Sequence, residues 1–276
     1  MPELPEVETI VRGLRPVLPG RRIREAQVLR NDLLRISSGA FRAGLQDREL
    51  LEVGRRGKNV VLTLSDSLRL VVNLGMTGRL LFLSGPPGEA SSPHLGIKLS
   101  LSPPGALLYD DVRRFGHLLL LSEEAWREES ARLGPEPLDP ALTPEDFHAL
   151  LSVSRSPVRS WLLDQTHLAG VGNIYANEAL FRARLHPARP GHTVTPEESR
   201  ALLEGLRRVL TDAIRARGTT LRDYRTASGG TGGYGVELEV YGRVGSACPR
   251  CKAPVRRIVF GNRSAFFCPR CQPEDR

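Results

Sequence analysis

The feature that most restricts how this chain can fold is a change of hydrophobic period at a proline-dense segment, Gly134-Pro-Glu-Pro-Leu-Asp-Pro. Before it, short apolar runs of β-type composition at 60–64, 68–73, 80–83, 95–101, 106–109 and 118–121 are separated by Gly, Pro and Ser turns. After it, apolar residues recur at helical spacing over about 144–151, 157–164, 174–183 and 196–216, and the last of these helices stops at Gly218. The chain opens on a helix of its own, because Leu4, Val7, Val11, Leu14 and Leu18 are spaced alternately by three and four before Pro19-Gly20. Strands gathered in one half and helices in the other describe an α+β protein. We expect an N-terminal β-sandwich with a leading helix over 1–133, a helical domain over 134–239 and a small module over 240–276, which suits a length of 276 residues.

The small module is defined by Cys248-Pro-Arg-Cys251 and Cys268-Pro-Arg-Cys271, separated by 16 residues. Two such knuckles supply four thiolates to one tetrahedral zinc with no open coordination position, so one structural ion is expected, which folds the module rather than reacting. Disulfides are the alternative, disfavoured in a reducing compartment. Between the knuckles, two β-type runs flank Gly261-Asn262, a two-residue hairpin turn that places Arg263 at the fingertip. The module is also strongly basic: residues 243–276 carry eight Lys/Arg against Glu274 and Asp275. With a net charge of +8 over the whole chain, this is the footprint of a polyanion binder. No apolar run is long enough to span a bilayer, and the opening Met-Pro-Glu-Leu-Pro-Glu has neither the basic head nor the apolar stretch of a secretory signal, so we expect a cytoplasmic protein with no membrane partner.

Several short segments could carry chemistry, and each also has a plain structural explanation. If Met1 is removed, Pro2 presents a secondary amine; an α-amino group has a pKa near ~8, which leaves a usable neutral fraction at pH 7. Such an amine can attack a sugar C1′ and form an iminium ion that acidifies the C2′ proton. Glu3 and Glu6 stand beside it, although acidic residues also simply favour the positive end of a helix. Gly170-Val-Gly-Asn173 precedes a helix and could cradle a phosphate, or could be only a cap. Lys58, in Arg55-Arg-Gly-Lys58, could grip a phosphate or be a solvated turn charge. Met76 and the Arg113-Arg-Phe115 run could enter a base stack, or Met76 and Phe115 could be core. The glycine-rich stretch 226–235 is expected to be a mobile loop, since glycine maximises the entropy lost on ordering.

Read together, Pro2-Glu-Leu-Pro-Glu-Val-Glu-Thr9, Arg56-Gly-Lys58, Leu74-Gly-Met-Thr77, Arg113-Arg-Phe-Gly116, Leu133-Gly-Pro-Glu-Pro-Leu138, Gly170-Val-Gly-Asn-Ile-Tyr-Ala176, Val240-Tyr-Gly-Arg243 and the two knuckles resemble, in order and along nearly the whole chain, the bacterial formamidopyrimidine-DNA glycosylases. The resemblance implies a β-sandwich, a helix-two-turn-helix domain and a β-hairpin zinc finger, with duplex DNA held between two lobes by a monomer. It implies that oxidised purines (8-oxoguanine, preferably opposite cytosine, and formamidopyrimidines) and abasic sites are the substrates, and that β,δ-elimination follows excision. Carried over by motif, Pro2 is the nucleophile and Glu3 the acid; Lys58 and Arg263 complete the catalytic set and, with Asn173, grip phosphates. Asn73, Met76, Arg113 and Phe115 join Asn173 and Arg263 in DNA binding, with Met76, Arg113 and Phe115 filling the vacated stack. Glu6, Thr219 and Tyr234 belong to the lesion pocket and the loop that covers it. Two positions depart from the pattern: Asn73 stands where histidine is usual and Val112 where proline is usual. An amide at 73 can still donate to a phosphate but carries no charge, so a weaker, less pH-dependent contact is expected. The rival readings are an endonuclease VIII-type enzyme for oxidised pyrimidines, whose opening usually reads Pro-Glu-Gly-Pro-Glu where this chain has Leu4, and a DNA-binding protein without catalysis.

Overall fold

A computed structural model describes residues 2–85, 92–219, 226–230 and 232–274. The removal of Met1 and the position of Thr231 in the glycine-rich stretch lie outside the described residues. The chain forms two compact units, one of residues 1–132 with 214–235 and one of 133–213 with 236–276.

The first unit begins with α1 (Leu4–Leu14), whose start is fixed by a capping box between Glu3 and Glu6 and by proline in the first turn. It ends four residues earlier than the apolar spacing suggests, because Pro16 has no N–H for another turn; Leu18 is nevertheless fully buried. Two four-stranded antiparallel sheets follow. One has the order β1 (Arg22–Val28), β6 (Leu95–Ser102), β7 (Gly105–Asp111), β5 (Gly78–Ser84); the other runs β2 (Leu50–Arg56), β3 (Asn59–Leu64), β4 (Leu68–Asn73), β8 (His117–Ser122). Two short helices complete the unit, α2 (Ser38–Leu45) and α3 (Glu123–Ala131), each opened by a serine, Ser37 or Ser122, that accepts a backbone N–H in the first turn. The sheets share a core in which Val7, Ile10, Val11 and Leu14 of α1 meet Val53, Val60, Leu62 and Leu70, all without exposed surface. Each such side chain contributes on the order of 1.5–3 kcal/mol relative to exposure.

Strands β1 and β2 escape the period-two reading for one reason. Each carries a register shift, between Ile23 and Glu25 in β1 and between Leu50 and Glu52 in β2. The extra residue puts the buried positions three apart, Ile23 with Ala26 and Leu50 with Val53, so neither strand alternates.

The second unit holds α4 (Pro144–Ser152), α5 (Val158–Leu163), α6 (Asn173–Ala183), the long α7 (Pro196–Arg215) and a hairpin of β9 (Arg256–Phe260) and β10 (Arg263–Phe267). Trp161 of α5 packs edge-on against Phe147 of α4, with ring centroids 5.4 Å apart at 83°. The hairpin turns at Gly261-Asn262, with Gly261 at φ 57°, and Arg263 pairs with Phe260, so the fingertip position expected for Arg263 holds. The α+β class read from the sequence is the class observed.

Candidate active site

Pro2 and Glu3 sit immediately ahead of α1, both buried, with Glu3 at 3% exposure and Glu6 at 2%. The capping box explains the placement. Glu3 donates its backbone N–H to Glu6 Oε2 at 2.8 Å, while Oε1 of the same carboxylate accepts the backbone N–H of Thr219 at 2.7 Å. One carboxylate thus ties the start of the first helix to a strand-like segment 213 residues later. Thr219 pairs with Gly233, and the Tyr234 N–H reaches the Gly218 carbonyl at 3.1 Å. A Cβ on Gly232 would lie 2.3 Å from the Gly218 carbonyl oxygen, so the return of the chain at this point requires glycine.

The described residues of the glycine-rich stretch 226–235 are anchored to the first unit at several points. The Ala227 carbonyl accepts from Phe82 at 3.2 Å, and the Ala227 side chain enters the sandwich core. Thr226 and Gly230 close a turn on each other, and Tyr234 is fully buried. Glycine here permits close approach as much as it raises entropy.

Met76, Arg113 and Phe115 are brought together. The Arg113 guanidinium lies 3.2 Å from Met76 Sδ and 4.5 Å from the Phe115 ring centroid. Met76 is 39% and Phe115 57% exposed, so neither is the core residue its type would suggest. An exposed apolar pair beside a cation has the chemistry needed to enter a base stack.

Lys58 is half-buried in the two-residue turn between β2 and β3, which Arg56 and Asn59 close and Gly57 permits at φ 57°. Its neighbours serve the fold: Arg55 pairs with Glu8 at 3.2 Å and Arg56 with Ser130 at 3.1 Å. Asn73 ends β4 opposite Asn59, donates from Nδ2 to Asn59 Oδ1 at 2.8 Å and accepts the Gly75 N–H at 2.9 Å. Its amide shapes the turn that leads to Met76.

In the second unit, Asn173 is the first residue of α6, and the cap is Gly172, which makes no side-chain cap bond. The Asn173 side chain instead turns to the hairpin: Nδ2 donates to the Ser264 carbonyl at 3.1 Å, and Oδ1 accepts from Arg159 Nη2 at 2.7 Å. Arg159 gave no sequence signal, yet it is 1% exposed, donates also to the Ser264 carbonyl at 3.2 Å and lies 5.3 Å from the Phe260 ring. Burial, then the neighbouring Arg263 charge, lowers its pKa to about 10, which leaves it a cation at neutral pH. Asn177 completes the join by accepting the Phe266 N–H at 2.6 Å. Replacing Arg159 with methionine removes its two charge-assisted hydrogen bonds, to Asn173 Oδ1 and to the Ser264 carbonyl, worth about 1.5–3 kcal/mol each. A matching loss is expected in denaturant unfolding of this unit, and a change below about 0.5 kcal/mol, the range of ordinary surface substitutions, would contradict the role.

The four cysteine sulfurs lie within 4.8 Å of one another, with Cys251 Sγ 3.4 Å from Cys268 Sγ and Cys248 Sγ 3.9 Å from Cys271 Sγ. These separations are too long for disulfides and bracket the ~3.8 Å edge of a tetrahedron with Zn–S of about 2.3 Å. The donor set fits a zinc ion. Gln272, fully buried, bonds the Cys268 N–H at 3.0 Å and the Leu185 carbonyl at 2.8 Å, fixing the second knuckle. A second anchor, unforeseen from sequence, is Glu178 of α6, whose buried carboxylate accepts the backbone N–H groups of Glu239, Val240 and Tyr241 at 2.8, 3.0 and 2.8 Å. Burial raises its pKa, against the opposing pull of those three donors.

Three family models match this chain: the formamidopyrimidine-DNA glycosylase N-terminal domain over residues 1–118, the H2TH domain of the same glycosylases over 133–225, and a zinc finger found in FPG and IleRS over 245–273. Among similar proteins, the formamidopyrimidine-DNA glycosylase of Thermomicrobium roseum is 45% identical, with 99% of each chain covered. The crystal structure of the MutM (Fpg) protein from Thermus thermophilus superposes with a TM-score of 0.88 at 43% identity over 100% of both chains. Lactococcus lactis Fpg in complex with DNA containing an abasic site gives 0.90 at 29% identity, covering 99% of this chain and 100% of that one.

Proposed function

The chain belongs to the formamidopyrimidine-DNA glycosylase family and is a base-excision-repair DNA glycosylase and abasic-site lyase with one structural zinc, and from that premise we propose that the amine of Pro2 is its nucleophile. The observation that carries this reading is the buried, capped helix start, where Pro2 directly precedes Glu3, the residue that a reciprocal capping box with Glu6 fixes in place. A nucleophile so fixed reaches one atom of a bound nucleotide without searching, which is where most of the advantage of a preformed site lies.

The proposed reaction runs in four steps. The neutral Pro2 nitrogen bonds to C1′ of the damaged nucleotide as the C1′–base bond breaks, and the base leaves with a proton. Loss of the sugar ring oxygen from C1′ gives an iminium ion, with Glu3 supplying and removing protons at the sugar. Removal of the C2′ proton then expels the 3′ phosphate, and a second elimination expels the 5′ phosphate. Substrates are duplexes carrying 8-oxoguanine or formamidopyrimidines, met on the bacterial chromosome in the cytoplasm. Among the described residues no helix is long and apolar enough to cross a membrane.

In this reading residues 1–133 form the catalytic domain, 134–239 the DNA-binding helices with the lesion-covering loop, and 240–276 the finger. Glu6, Thr219 and Tyr234 form one wall of the lesion pocket. Met76, Arg113 and Phe115 occupy the stack that the flipped base leaves. Lys58, Asn173 and Arg263 hold phosphates, and Asn73 acts chiefly by shaping the Met76 turn. The zinc braces the finger and takes no part in the chemistry. Borohydride trapping on 8-oxoguanine duplex tests the nucleophile, and a panel of oxidised purines and pyrimidines tests the substrate class. Binding should weaken with salt, and Lys58→Met and Arg263→Met should each flatten the plot of log K against log salt by about 0.9, the share of one neutralised phosphate. An unchanged slope in either variant removes that residue from the phosphate contacts.

A further inference from the structure

Outside the residues assigned so far, four donors converge on the carboxylate of Asp111, the last residue of β7, which is 1% exposed. Its Oδ1 accepts from Thr77 Oγ1 at 2.5 Å and from the Arg113 N–H at 3.2 Å; its Oδ2 accepts from the Gly116 N–H at 2.9 Å and from the Tyr109 hydroxyl at 3.3 Å. Thr77 Oγ1 itself accepts the Arg113 N–H at 3.0 Å, and the Tyr109 hydroxyl also reaches the Asn73 carbonyl at 3.1 Å. Thr77 follows Met76 in the chain, while Arg113 and Gly116 bracket Phe115. The carboxylate therefore staples together the two segments that carry the three projecting side chains.

Their backbones also leave no room for adjustment. A Cβ on Gly75 would lie 2.4 Å from the Gly116 nitrogen, and one on Gly116 would lie 1.8 Å from the Tyr109 hydroxyl. Only an acceptor with two oxygens can meet four donors in so small a space; an amide would turn an N–H₂ toward donors on one side.

We infer that Asp111 is a positioning residue for recognition of the opposite strand: it holds Met76, Arg113 and Phe115 in the arrangement that fills the vacated stack, and through Arg113 it sets the preference for the opposing base. This rests on the reading of those three residues given above. Asp111 touches no reacting atom, so its effect should vanish where there is no opposing strand.

The test compares Asp111→Asn, Thr77→Val and Arg113→Ala on 8-oxoguanine opposite cytosine, on 8-oxoguanine opposite adenine, and on a single-stranded abasic oligonucleotide. Asp111→Asn should lower kcat/KM on the cytosine duplex by about tenfold or more, through its unmatched donors, and bring the cytosine-to-adenine ratio within about twofold of unity. Cleavage of the single-stranded abasic substrate should stay within about threefold of the parent, because no stack has to be filled. Thr77→Val, nearly isosteric, should move the ratio the same way by a smaller factor, about threefold, and guards against a variant that merely misfolds. If Arg113→Ala leaves duplex activity and the base ratio unchanged, the reading of the triad fails. If Arg113→Ala is impaired while Asp111→Asn and Thr77→Val keep the parental ratio, the positioning role of Asp111 fails. Equal losses on single- and double-stranded substrates in both Asp111→Asn and Thr77→Val also overturn it.

Discussion

A Pro2→Gly variant is expected to lose excision and borohydride-trapped complex by about 100-fold or more, the scale on which misplacing a reacting group by an ångström is felt. Glycine keeps an amine, but a primary one, and loses the buried pyrrolidine ring that ties the nitrogen to its own side chain ahead of Glu3. A more severe test leaves Pro2 in place and adds a residue before it. The nitrogen is then an amide, its lone pair is delocalised into the carbonyl, and trapping should fall to background. Affinity for a duplex with a non-cleavable abasic analogue should change by less than about threefold in the glycine variant, since the phosphate contacts that dominate binding lie elsewhere. Full activity in the extended protein would exclude the proposed chemistry outright.

Removing the zinc should have an effect of similar size on binding. Zinc contributes about 10–16 kcal/mol to small modules of this kind, more than a hairpin of two five-residue strands can replace by packing. Loss of the hairpin removes Arg263 from its turn and the Ser264 carbonyl from Asn173 and Arg159. Chelation, or Cys268→Ser at a fully buried ligand, is therefore expected to raise the Kd for abasic-analogue DNA by about 100-fold or more, as the phosphate contacts proposed for Arg263 and Asn173 are lost together. The sandwich core should survive, because its members all belong to residues 1–132 and 214–235. Two measurements settle it: DNA affinity of the metal-free protein, and calorimetric unfolding of the sandwich in the same sample. Unchanged affinity without metal would falsify the bracing role.

Both predictions concern residues that local sequence identifies, and other positions behave differently. The capping box at Glu3 and Glu6 is written at a spacing of three, and the cysteine knuckles at their own fixed spacing. Glu6 could be placed near the reacting end on that basis, yet its bond to Thr219 could not. The same holds for Asn173, which reads as a cap or an anion donor and turns out to be held by Arg159 and Ser264. Asp111 reads as one more acidic residue after a strand, because its four donors come from three separate positions and its own neighbour Arg113.

What the sequence determined by itself was whatever repeats at short range. The α1 stripe, six of the eight sandwich strands, the helices of the second unit, the hairpin turn and each cysteine knuckle follow from spacings of two to four residues, where sterics and local hydrogen bonding act alone. The tertiary structure decided the rest. It bulged β1 and β2, anchored Ala227 in the core, and brought Glu6 to Thr219 and Arg159 to the finger. These contacts close loops of tens to hundreds of residues, and which partners meet depends on the packing of whole layers. No local period records that outcome.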